Sequence, residues 1–236
     1  MSIDAHCHVA GKAERSFICA RPDAPVPEGP ALVRFYGYHP WDAAQVDEAA
    51  LSLLRRRLED DPGAGVGEIG LDRLREREVS DSMRRAFAAQ LEIAAELGRP
   101  VVLHGAKCWG QVVAACRPFS GRIPAFLFHG FSRSGGLLPD IGKLNGFVSV
   151  GPAVLNDHAV NYRELVKTIP DSMLLAESDA TDENFAALPS IAEIVAKIAE
   201  IRGTSAALLD ALTERNAARF DAPRTKFSPA SQLAKR

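Results

Sequence analysis

The sequence predicts an α/β fold, a (β/α)8 TIM barrel that is distorted because its first barrel helix is shortened or missing. Three observations lead there. Eight short β-like runs can be counted along the 236 residues, runs with helical periodicity separate most of them, and several of the β-like runs are almost wholly apolar. Apolar runs mark strands buried on both faces. Strand–helix alternation implies a parallel sheet with helices outside. Eight such units in one chain suit a barrel, for which about 250 residues is typical.

The β-like runs fall at 3–9, 16–20, 32–39, 65–71, 100–104, 125–129, 147–150 and 174–178. Val101-Val102-Leu103 and Phe126-Leu127-Phe128 are the most continuous. Between His8 and Leu32 there is little helical periodicity, and four prolines intervene (Pro22, Pro25, Pro27 and Pro30), so the first barrel helix is expected to be absent or cut to a turn. The run 47–59 places Leu51, Leu54 and Leu58 on one helix face, with Arg55-Arg56-Arg57 expected to lie in solvent opposite it. The run 82–97 carries Met83, Phe87 and Leu91 at fourfold spacing and meets Gly98 and Pro100 as stop signals. The run 190–202 carries Ile191, Ile194, Val195, Ile198 and Ile201 and ends at Gly203. Ser205 then caps a last helix through Leu208, Leu209 and Leu212. One barrel domain is expected over 1–221, with 222–236 a basic, flexible tail, since 224–236 holds four basic residues and no acidic one.

Composition narrows the function. With 28 basic and 30 acidic residues the net charge is −2, so overall electrostatics would not capture nucleic acid, and a local patch or a bound metal would have to. No secretory leader is expected from Met1-Ser2-Ile3-Asp4-Ala5-His6, and no stretch approaches the roughly 18 apolar residues of a membrane span. Cys7, Cys19, Cys108 and Cys116 form no CxxC pair, which fits free thiols in a reducing cytoplasm.

The chemically active side chains gather at the C-terminal ends of the expected strands, where barrel enzymes carry their sites. Asp4, His6 and His8 alternate, so a strand aims all three at one face. Glu68 lies in Val66-Gly67-Glu68-Ile69-Gly70-Leu71-Asp72, His104 and His129 end their runs, and Asp179 follows Leu174-Leu175-Ala176-Glu177-Ser178. One histidine at a strand end is usually a satisfied polar residue. Five of the six histidines at or just inside strand ends, joined by acids, form the donor set of a divalent metal site. The donors exceed four, which favours two metals over one, held about 4 Å apart by a bridging carboxylate.

These motifs resemble the TatD family of metal-dependent hydrolases, the TatD-type deoxyribonucleases of the amidohydrolase superfamily. The resemblance rests on Asp4-Ala5-His6-Cys7-His8, Gly37-Tyr38-His39-Pro40-Trp41-Asp42, Gly67-Glu68-Ile69-Gly70-Leu71-Asp72, Pro100-Val101-Val102-Leu103-His104, His129-Gly130-Phe131-Ser132 and Leu174-Leu175-Ala176-Glu177-Ser178-Asp179, in that order over about residues 1–221. It implies that His6, His8 and Asp179 hold one divalent ion, that His104 and His129 hold a second, and that Glu68 bridges them. The ions would be Zn2+, Mn2+ or Mg2+. Asp179, with Glu68, would be catalytic, orienting or deprotonating a metal-activated water that attacks a phosphodiester. Nucleic acid is the implied substrate, with DNase activity of exonuclease type, and no membrane or named protein partner is implied.

The substrate shell departs from the family. Gly105-Ala106-Lys107 replaces the usual Ser-Arg after the His104 position, and Arg73 stands where Tyr is usual. Substrate contacts are assigned to His39, Arg73, Lys107 and Arg133, with a purely structural turn as the alternative for His39 and a simple turn for the Ser132–Gly136 loop. Trp41 and Trp109 are expected to pack against the barrel rim, base stacking being the alternative. Two other functions remain open: ester hydrolysis on D-aminoacyl-tRNA, and a non-catalytic family member that binds a protein partner. The intact ligand set argues against the second.

Overall fold

Eight parallel strands follow one another around a nearly closed barrel in sequence order: β1 (Ile3–Cys7), β2 (Arg15–Ala20), β3 (Leu32–Tyr36), β4 (Gly65–Asp72), β5 (Val101–Ala106), β6 (Phe126–Phe128), β7 (Gly146–Val150) and β8 (Leu174–Ala176). The computed structural model describes residues 2–29, 31–75, 77–132 and 135–222; Pro30, Arg133, Ser134 and the expected basic tail from 223 onward lie outside the described residues. All eight expected strands are present, and several are shorter than the apolar runs that announced them. The seam between β1 and β8 is joined by loop backbone: the Asp179 N–H donates to the His6 carbonyl at 3.1 Å, and the His8 and Val9 N–H groups donate to the Ala180 carbonyl at 2.8 and 2.9 Å.

The helices follow from caps and apolar faces. Asp47 caps α1 (Glu48–Asp60) by accepting from the Ala50 N–H, and Leu54 and Leu58 are buried. Ser80 caps α2 (Asp81–Leu97), which ends at Gly98 in the left-handed region at φ 62°. Ser190 and Glu193 form a capping box on α6 (Ile191–Arg202), and Ser205 caps α7 (Ala206–Asp221). Three further helices, α3 (Trp109–Cys116), α4 (Leu138–Lys143) and α5 (Val160–Thr168), carry too few turns to stand out as periodicity in the sequence.

Among the described residues the first barrel helix is absent as expected, and a second is absent with it. Not one but two connections lack a helix among the described residues, β1–β2 and β2–β3, and Pro22, Pro25 and Pro27 belong to the second. Other parts of the chain supply the cover. Ala180, Phe185 and Leu188, from the segment after β8, pack on Cys7 and Ile18. Lys12 fastens that segment by donating to the Leu188 carbonyl at 2.7 Å. Arg57 donates to the carbonyls of Pro22 and Ala24, so it anchors the proline loop rather than lying free in solvent.

The barrel floor is aromatic. Phe17 on β2, Phe35 on β3 and Phe147 on β7 place their rings 5.5–5.8 Å from that of Phe220, which reaches in from α7. Strands 3 and 7 lie on opposite sides of the barrel, so a side chain touching both sits near its axis. Phe220→Ala is expected to cost about 3–5 kcal/mol of folding stability, read as an earlier denaturant midpoint. An unchanged midpoint would contradict this packing role.

Candidate metal centre

Each strand end delivers its donor to one point. Glu68, buried on β4, is the hub. Its Oε1 lies 2.6 Å from His104 Nδ1 and 2.6 Å from His129 Nε2. Its Oε2 lies 3.2 Å from His8 Nε2 and 3.5 Å from His6 Nε2. Asp179 Oδ1 approaches His6 Nε2 at 3.4 Å from the other side. Two local features make this crowding possible. Gly70, at φ 152°, lies so close to β5 that an added Cβ would stand 2.0 Å from the His104 carbonyl oxygen. Asp179 itself is left-handed at φ 52°, a conformation that Asp tolerates better than most side chains.

A further group stands behind each of three histidine rings. Asp72 Oδ2 stands 2.8 Å from His104 Nε2, leaving Nδ1 for the centre. Glu177, which accepts from the Ser149 hydroxyl, stands 3.6 Å from His129 Nδ1. Cys19 Sγ meets His6 Nδ1 at 3.5 Å, which turns Nε2 inward. Asp4, expected on the same face as His6 and His8, instead accepts from the Ser178 N–H at 2.9 Å and from the Ser178 hydroxyl at 2.5 Å. It thereby ties β1 to the residue before Asp179, and burial pushes its carboxyl up to about 7.

The donor set suits divalent cations. His6 Nε2 is buried without a hydrogen-bond partner, although two carboxylate oxygens stand near it. Three groups each bring their donor atoms within 4.8 Å of one another: His6, Glu68 and His129; His6, His8 and Asp179; His39, Glu68 and His104. Mixed imidazole and carboxylate donors fit Zn2+ or Mn2+ better than Mg2+, which prefers oxygen. Burial opposes charge on every buried member. It would raise the Glu68 carboxyl, but His129 and His104 hold it well below the ordinary range. Burial would lower His129, and His6 adds to that, but Glu68 and Glu177 raise it to about 9. Burial dominates at His39 and pushes it down to about 4, so its imidazole is neutral at pH 7.

Removing the support of one ring tests this reading. Asp72→Asn is expected to weaken metal retention or activity by about 10–100-fold, read by competition with a chelator. Retention equal to wild type would remove Asp72 from the site.

Two cavities open on the centre. One, of 710 Å³, is lined by His104, Lys107, Trp109 and Leu74; the other, of 440 Å³, by Pro152, His158, Val160 and Tyr162. Gly130, Ser132 and Asp179 line both, so the centre lies where they meet. His6, His8, Glu68, His104, His129 and Asp179 are brought together as the sequence suggested. His39 stands with them, its Nε2 3.4 Å from His104 Nδ1 and 3.6 Å from Glu68 Oε1. Lys107 is exposed on a cavity wall. Arg73 turns aside, donating to the Arg77 carbonyl at 2.8 Å, and Arg133 lies outside the described residues. Sequence reasoning missed Asp72 as the carboxylate that holds the His104 ring and Glu177 as the carboxylate facing His129 Nδ1. Their signal was their place in the same strand-end segments as Glu68 and Asp179.

The comparisons agree with this architecture. A family model described as TatD-related DNase matches residues 28–220. The 3'-5' ssDNA/RNA exonuclease TatD of Pectobacterium carotovorum is 30% identical over 195 residues, spanning 78% of this chain and 75% of that protein. The uncharacterized metal-dependent hydrolase YabD of Bacillus subtilis is 27% identical over 191 residues, with the same 78% and 75% coverage. Among solved structures, the TatD homolog YJJV from Escherichia coli K12 superposes with a TM-score of 0.78 at 22% identity, covering 93% of this chain and 97% of that one. That likeness is one of fold.

Proposed function

The chain belongs to the TatD-related DNase family and is a metal-dependent hydrolase of ester bonds; from that premise we propose that it is an exonuclease, hydrolysing terminal phosphodiesters of single-stranded DNA. The observation that carries this reading is the convergence of His6, His8, His104, His129 and Asp179 on Glu68 where two cavities meet. A scissile phosphate over Glu68 would have a cavity on either side for the nucleotides it joins.

Two divalent ions are proposed, one held by His6, His8 and Asp179 and the other by His104 and His129, with Glu68 shared. Zn2+, Mn2+ or Mg2+ at these places would supply Lewis acidity and lower the pKa of water. The side chains do the rest. Asp179, kept ionised by His6 and His129 against the effect of its burial, orients the attacking water and accepts its proton at a carboxylate oxygen. Neutral His39 is placed to hydrogen-bond a phosphate oxygen, and the exposed Lys107 ammonium to meet a neighbouring phosphate. The active unit is proposed to be the barrel of 1–221. Four free, buried thiols support a cytoplasmic location. Among the described residues no helix is long and apolar enough to cross a membrane.

A substrate panel tests the reading. With Mn2+ or Mg2+, end-labelled single-stranded DNA is expected to lose terminal nucleotides faster than the matching duplex, and the Asp179→Asn variant to be strongly impaired. Hydrolysis of D-aminoacyl-tRNA without hydrolysis of DNA would replace the nuclease reading, and equal rates in both proteins would mark a contaminant.

A further inference from the structure

A second surface borders the centre without holding it. The chain has two tryptophans. Trp109 is buried, its ring tilted against those of Phe128 and Phe131 at 5.8 and 5.3 Å as rim packing requires. Trp41 differs: it is 46% exposed, although large aromatics are usually well buried. Nor is it loose. Its backbone N–H donates to His39 Nδ1 at 3.2 Å, its ring meets the His39 ring edge-on at 4.6 Å, and its side chain helps to hold the Asp72 carboxyl low. The residue is thus held against His39 while much of it faces water. The Arg75 guanidinium lies over the ring, 3.5 Å from its centroid. Leu74, 56% exposed, extends the apolar surface and lines the larger cavity with His104 and Lys107.

An immobilised aromatic ring layered with an arginine guanidinium is a surface on which proteins stack unpaired bases. We propose that Trp41, flanked by Leu74 and Arg75, is a stacking platform for an unpaired nucleobase of the substrate strand, one histidine ring away from the scissile phosphate. The proposal rests on the nuclease reading above. Only a base out of the helix can lie on the ring, so the platform selects single strands over duplex. A π-face accepts any base, so it does so without regard to sequence. Arg75, already at the ring, is placed to meet the phosphate beside that base.

The test uses an oligonucleotide and the same oligonucleotide with abasic residues near the cleaved end. Trp41→Ala is expected to raise KM on the normal strand by about 5- to 150-fold with kcat little changed. Trp41→Phe, which keeps a ring but lacks the indole N–H, should recover most of the loss. The alanine penalty should shrink several-fold on the abasic strand. In metal-depleted protein, single-stranded DNA should quench tryptophan fluorescence in wild type and much less in Trp41→Phe. An unchanged KM would overturn the platform. So would an equal fall in kcat on both strands with Phe as poor as Ala, because Trp41 would then act only by supporting the residues around the centre. A wild type that quenches with single-stranded DNA but does not hydrolyse it overturns the nuclease reading and leaves the platform as a binding surface. Absence of quenching overturns the platform.

Discussion

Glu68→Ala is expected to lower metal occupancy at both positions and reduce kcat/KM by at least about 10³-fold, some 4 kcal/mol of transition-state stabilisation. The effect is large because Glu68, alone among the side chains of the described residues, approaches His6, His8, His39, His104 and His129 together. Its removal leaves imidazoles crowded around a buried space with no shared anion. Any ion bound there then adds charge without compensation. Elemental analysis after gentle purification and steady-state kinetics both read this. Two ions retained with near-normal activity would remove Glu68 from the centre.

Asp179→Asn should separate metal holding from proton transfer. Asn fits the left-handed backbone at 179, and the Asn184 side chain donates to the main-chain carbonyl of residue 179, an interaction that survives the substitution. The fold should therefore persist. An amide cannot accept the proton of the attacking water, so kcat is expected to fall about 10²–10⁴-fold, with KM changed less. Metal content should fall at the position shared with His6 and His8 more than at the other. A modest loss in kcat with a large rise in KM would make Asp179 a binding residue instead.

Much of this centre was legible in the sequence because barrel geometry turns position along a strand into position in space. Once 100–104 and 125–129 read as buried strands, His104 and His129 had to emerge at the same rim as Glu68 and Asp179. What escaped depends on contacts between distant segments. Phe185 and Leu188 covering the outer face of β1 and β2, and Arg57 reaching the proline loop, leave no periodic trace, so the number of absent helices was miscounted. Asp72 and Glu177 looked like ordinary strand-end acids until their partners on neighbouring strands were placed. Trp41 and Trp109 were equivalent on the page. Gly105 and the rings of Phe128 and Phe131 bury one, and the short helical turn Pro40–Gln45 after β3 turns the other out to the rim.

The central claim is that shared metal chemistry at Glu68 drives strand hydrolysis. Its most direct test is to titrate metal-depleted protein with Mn2+ while following release of terminal nucleotides from single-stranded DNA. Metal-depleted protein is expected to give no hydrolysis, the rate to rise and level at two equivalents per chain, and Glu68→Ala to respond little. Full hydrolysis by wild type in the presence of excess chelator, or none at any metal concentration, would contradict it.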